Sequence, residues 1–169
     1  MNEAFLIDQL ARSAGRIRQL CLDVPDEQAR WKPDPQSWSI LEVVNHLYDE
    51  EREDFRVRLD IILHHPDQAW PSIDPEGWVG ERLYNQRDLA ESLAGFLQER
   101  QESLAWLRSL PAPDWQALCQ APWGDPMAAG DMFAAWVAHD HLHLRQLVEL
   151  HLAYVALQAR PFQVGYAGS

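Results

Sequence analysis

The segment HDHLHLRQL, His139 to Leu147, holds three of the seven histidines of a 169-residue chain. Neutral imidazole is a favoured ligand for divalent metals. On a helix, positions i and i+4 share a face whereas i and i+2 do not. His139 and His143 are therefore neighbours, and His141 points elsewhere. Such an HxxxH pair lets both Nε2 atoms converge on one ion; the alternative for the pair is a hydrogen-bonded or exposed structural role. A third ligand has to come from another helix, and His46 is the histidine central to one. His64 and His65 sit where a helix should end, which suits the helix dipole. His141 and His151 read as solvent-facing or hydrogen-bonded.

The face that carries the pair is apolar. Met132, Trp136, His139, His143, Leu147, Leu150 and Tyr154 step by three or four residues and form one inward stripe. The two histidines stand in its middle, where leucine is expected. Burying an imidazole there costs stability unless hydrogen bonds or a metal satisfy it.

Four helices are expected to position these residues. The first covers about Glu3 to Leu22. The second begins at a capping box, with Ser39 as N-cap and Glu42 reaching back, and ends near His64 and Pro66. The third runs from about Leu83 to Leu110. The fourth starts at Asp125-Pro126, with Asp as N-cap and Pro at the first helical position, and runs to about Gln158. Gly130 should leave its first turns irregular. No strand shows sustained alternation. Two long Pro- and Trp-rich loops, after His65 and after Leu110, should pack across the bundle or into a partner. The fold class is all-α, a four-helix bundle with long crossover loops, in one domain over residues 1–169.

Composition narrows the function. The formal net charge is −12 and the arginines are scattered among acids, so nucleic acid is not an expected partner. No apolar run approaches a membrane span. Cys21 and Cys119 form no CxxC pair, the first residues lack a signal core, and the chain reads as cytoplasmic. Several of the eight tryptophans, among them Trp38, Trp78, Trp123 and Trp136, are candidates for a pocket wall as well as for core or interface.

The segment WSILEVVNHLYDEE, Trp38 to Glu51, together with His139, Asp140, His143 and Gln146, resembles the two helix motifs of the DinB-like family. The order and spacing of the helices resemble it too, over nearly the whole chain. The resemblance implies a bundle of the DinB/YfiT-like type. It also implies a divalent metal, zinc or nickel, held by His46, His139 and His143 with water completing the shell, and a homodimer. Relatives with assigned chemistry are bacillithiol- or mycothiol-dependent S-transferases and a mycothiol-dependent maleylpyruvate isomerase. A low-molecular-weight thiol and a small electrophile are then the expected partners.

Three imidazoles leave a dication its full charge and an open position, the arrangement of catalytic rather than structural sites. Such an ion lowers the pKa of a bound thiol or water. Thiolate suits S-transfer or isomerisation; hydroxide suits hydrolysis. Asp49, Glu50 and Asp140 are the candidate proton acceptors or orienting groups, Glu50 also a candidate fourth ligand, although acids in so acidic a chain commonly form a solvated face. Arg145 and Gln146 are candidates to orient something near the site, against simple surface pairing. The competing readings are a non-catalytic metal-binding stress-response bundle and a metal-free interaction protein.

Overall fold

The computed structural model describes residues 1–168. Helix α1 spans Glu3–Cys21 and is capped by Asn2, whose side chain accepts from the Phe5 amide. A short α2, Asp26–Arg30, follows. The capping box forms as expected. Ser39 Oγ accepts from the Glu42 amide, and the Glu42 carboxylate accepts from the Ser39 amide, which starts α3 at Ile40–Glu50. This helix does not end at Glu50. It passes through one π-helical turn, Glu51–Phe55, into α4, Arg56–His64. The wider turn shifts the face presented by everything after it, and such insertions are frequent at functional sites.

The loop after His65 carries its own short helix, α5, Pro75–Glu81, with Asp74 as N-cap and Pro75 at the first turn. It packs against α3; Trp70 and Trp78 are buried. The loop thus crosses the bundle, one of the two expected roles.

The third long helix, α6, spans Leu89–Ser109 and starts later than expected. Leu83 has a left-handed backbone (φ 51°), which breaks the helical path. A 3₁₀ turn over Tyr84–Gln86 follows, and Asp88 then caps α6 by accepting from the Glu91 amide.

The fourth long helix, α7, spans Ala129–Gln158. Asp125-Pro126 does not cap it. Pro126–Ala128 is instead strand β2, antiparallel to β1, Leu118–Gln120. Strands of three residues are too short to show alternation, and Pro126 stands at the first residue of a strand with no neighbour on its outer side, where proline is tolerated. Gly130 leaves the helix regular. Its amide donates to the Trp115 carbonyl at 3.0 Å, and a Cβ there would lie only 3.1 Å from that oxygen.

Both α1 and α3 pack against α6 and against α7. The first two long helices are therefore diagonal partners, and so are the last two. Joining diagonal helices requires long crossovers, which accounts for the connections from α1 to α3 and from α6 to α7; the loop after His65 joins neighbouring helices. The buried apolar residues form two groups. One holds Phe55, Leu59, Phe133 and Trp136; the other holds Val43, Leu47, Phe96 and Leu147. The histidines of α3 and α7 lie between the two groups, at the waist of the bundle. Among the described residues no helix is long and apolar enough to cross a membrane.

Candidate metal centre

His46 on α3 and His139 and His143 on α7 meet at this waist. His139 Nε2 lies 3.1 Å from His46 Nε2 and 3.1 Å from His143 Nε2. The three rings stand 4.4–5.1 Å apart, centroid to centroid. Metal–nitrogen bonds of about 2.0–2.1 Å place tetrahedral ligand atoms about 3.3 Å apart, and right-angled ones about 3.0 Å apart. Both distances from His139 fall between the two, and all three ligand atoms lie within 4.8 Å of one another.

Hydrogen bonding alone does not satisfy this cluster. His143 Nδ1 donates to Gln146 Oε1 at 2.8 Å, so the neutral ring has a bare Nε2. His139 Nε2–H would then have to serve two acceptors at once. His46, 5 % exposed, would be left with a buried Nδ1 that has no protein partner. Three bare Nε2 atoms facing one point are what a divalent cation accepts, so the donor set fits a metal. Charge agrees. Burial, then the neighbouring His143, pushes the His46 pKa down to about 3. Burial and the other two rings push His139 down to about 2. Burial lowers His143 as well. All three rings are therefore neutral, with lone pairs free.

The rings are held by aromatic walls. Trp38, just before the Ser39 cap, packs against His46 with centroids 4.8 Å apart and lies parallel to His143. Phe55, supplied by the π-helical turn, packs against His139 at 4.9 Å. Gln146 fixes one tautomer, a role the sequence left open against surface pairing. Groups that orient metal-bound histidines typically contribute 10–100-fold in affinity. Gln146→Leu should weaken zinc binding by about that factor, read by competition with a chromophoric chelator. An unchanged affinity would mean that Gln146 does not set the tautomer.

The three candidate acids separate. Glu50 lines the inner end of the cleft beside the histidines. It is 4 % exposed, and its carboxyl hydrogen-bonds that of Asp54. Burial and the adjacent Asp54 carboxylate raise its pKa well above the usual range, so it carries a proton when no cation is near. It does not join the histidine nitrogens within ligand distance of one another. Asp49 is fully buried and fully used: it accepts from Tyr84 Oη at 2.6 Å, Arg82 Nη1 at 2.5 Å and Arg52 Nε at 3.1 Å. Its role is to tie the loop that follows α5 to α3. Asp140 points away from the cleft and pairs with Arg100 at 2.6 and 2.8 Å.

That pair belongs to a buried hub the sequence reading missed. Arg100 also takes Glu51 at 2.8 Å through both Nε and Nη2, and Trp136 Nε1 donates to Glu51 at 3.0 Å. A signal was present. Arg100 falls on the buried stripe Leu93, Phe96, Arg100, Leu104, Leu107 of α6, just as the histidines fall on that of α7.

The other histidines are accounted for. His151 donates to the Leu20 carbonyl and accepts from Gln28. His64 pairs with Asp60. His141 is exposed and bonded to its own helix. Of the candidate wall tryptophans, only Trp38 reaches the cleft. Trp78 covers Arg82, Trp123 meets Trp70 edge-on at the surface, and Trp136 is core. Arg145 pairs loosely with Glu149 at the surface.

From the triad a cleft of about 650 Å³ runs outward between α7 and the segment before α3. An inner part of about 490 Å³ lies over the histidines.

Fold and site together define a class: helical bundles with three histidines converging, as a candidate metal centre, between two neighbouring helices. The sequence matches the family model of the DinB superfamily over residues 9–147, and the chain belongs to that family. Its fold is that of YfiT from Bacillus subtilis, described as a probable metal-dependent hydrolase with an unusual four-helix bundle topology. The two chains share 21 % identity over 88 % of this chain and 85 % of that one, with a TM-score of 0.78. No curated protein sequence matches the chain.

Proposed function

We propose that this protein is a metal-dependent hydrolase in which His46, His139 and His143 hold one divalent ion, zinc or nickel, and Glu50 moves the proton of the attacking water. The observation that carries this reading is the placement of Glu50, a buried carboxyl lining the cleft beside three converging imidazoles. The bound ion supplies Lewis acidity that makes water nucleophilic near neutral pH, and its charge favours the ionised form of Glu50. Glu50 then accepts the water's proton and returns it to the leaving group. Trp38 and Phe55 fix the ligand rings, and the apolar groups on either side exclude bulk water from them. The description of YfiT as a probable hydrolase agrees with this choice.

Glu50→Gln keeps the size of the side chain and removes the base. We expect kcat to fall about 10²–10⁴-fold on an ester and amide panel with metal content unchanged. A fall below threefold would remove Glu50 from the chemistry.

Transfer to a low-molecular-weight thiol is the second reading, favoured by the undiminished charge three neutral ligands leave on the ion, which stabilises thiolate. Activity with an electrophile that appears only when thiol is added would select it. Metal that raises the melting temperature without turnover in either assay would leave a structural ion. The reading includes a homodimer, supported by Val148, Leu152 and Val155, which are exposed on the face of α7 opposite the histidines. Light scattering should return the mass of two chains; a monomer at micromolar concentration would contradict it.

A further inference from the structure

The π-helical turn that brings Phe55 onto His139 carries a second side chain to the site. Asp54, one residue earlier, is 6 % exposed, and its carboxyl hydrogen-bonds that of Glu50. Glu50 lines the inner cleft, whereas Asp54 lines neither part of it and stands behind Glu50. Arg58, one helical turn further on, completes the row: its Nε lies 2.7 Å from Asp54 Oδ1. The guanidinium is fixed from its far side as well. It lies over the buried Trp70 ring, 4.9 Å from the centroid, and Trp70 Nε1 donates to Cys119 Sγ at 3.3 Å. Asp49, the other acid close to Glu50, is engaged by Tyr84, Arg82 and Arg52.

A hydrogen bond between two carboxyls holds one proton. With that proton, Glu50, Asp54 and Arg58 together carry no net charge, the arrangement a buried row favours. Whichever carboxyl carries the proton, the contact occupies one oxygen of Glu50 and leaves the other to the cleft. A glutamate side chain free to turn would have to be ordered at each attack, and a base held in place avoids that cost.

We propose that Asp54 is the positioning residue of the base: pinned by Arg58, it shares one proton with Glu50 and so fixes the Glu50 carboxyl with one oxygen facing the cleft. The proposal rests on the hydrolytic reading, in which the free oxygen of Glu50 accepts the water's proton and returns it to the leaving group. Asp54 touches neither water nor substrate.

Two variants separate positioning from bracing of the helix. Asp54→Leu and Asp54→Asn both remove the ion pair with Arg58, so both should melt alike. Only the asparagine amide can still donate to Glu50. Asp54→Leu should lower kcat by about 10–100-fold, the usual loss when an orienting partner is removed, with KM and zinc affinity unchanged; Asp54→Asn should recover most of that loss. Equal losses in the two variants, or an unchanged kcat in both, would overturn the proposal. Infrared spectra of the metal-free protein read the contact without turnover. The carboxylic-acid carbonyl band that Glu50→Gln removes should move in both Asp54 variants, and a band left in place would overturn the proposal too. If Glu50→Gln leaves turnover intact while the Asp54 variants move the band, the contact stands and the hydrolytic reading falls. A loss of turnover in Glu50→Gln that neither Asp54 variant shares would do the reverse.

Discussion

Arg100→Met should destabilise the bundle by about 3–5 kcal/mol, the usual consequence of removing one partner from a buried ion cluster. For a chain of this size that is a fall of roughly 6–20 °C in melting temperature. The loss comes from what stays behind. Glu51 and Asp140 are each 1 % exposed, and without the guanidinium two carboxylates face each other in the core. The Leu10 carbonyl loses its donor as well. The companion variant Arg100→Met/Glu51→Gln/Asp140→Asn should recover part of the loss, because neutral groups cost less to bury than unpaired charges. Urea unfolding of the two variants measures both effects. A loss under 1 kcal/mol in the single variant would show that the hub carries no weight.

The hub also bears on the site. Asp140 follows His139 in sequence and Glu51 follows Glu50, so one guanidinium sets the register between the two ligand helices. Folded Arg100→Met protein should therefore bind zinc more weakly than the parent.

His143→Ala should lower divalent-metal affinity by at least about 100-fold, more than typical losses from an orienting group alone. It removes one of three ligand nitrogens and frees Gln146 from its imidazole. Stability provides a second readout. A ligand that binds only the folded state at 100 times its dissociation constant adds about 2.7 kcal/mol. The parent should gain about that much on adding zinc and the variant almost none. In the metal-free state the variant should be no less stable than the parent, because the crowded contact at His139 Nε2 is relieved. An equal zinc-induced shift in both proteins would remove His143 from the site.

The candidate ligands were legible because the period of an amphipathic helix converts spacing into direction. Histidines at 139 and 143 share a stripe with Trp136 and Leu147, so burial followed from the sequence and the need for a partner followed from burial. The capping box at Ser39 was legible because it is a local contact. What failed to show was non-local or very short. The π-helical turn at Glu51–Phe55 leaves no compositional mark, yet it brings Phe55 onto His139. The strands at Leu118 and Pro126 are three residues each, and the Asp125-Pro126 cap signal was stronger than theirs. The start of α6 moved because Leu83 adopts a left-handed backbone that no propensity favours for leucine. Asp140 was singled out for its position beside His139, but its partner, Arg100, lies 40 residues away, and sequence spacing cannot express such a pairing. Gln146, in contrast, sits three residues from His143, and the helical period alone places it in reach.

The central claim is that the three Nε2 atoms share one ion. Crystals of zinc-loaded protein, with diffraction recorded on both sides of the zinc edge, test it most directly. The account predicts one anomalous peak per chain, about 2.0–2.1 Å from Nε2 of His46, His139 and His143, with Glu50 nearby but outside bonding distance. No peak at this position, or a peak held by other side chains, would contradict it.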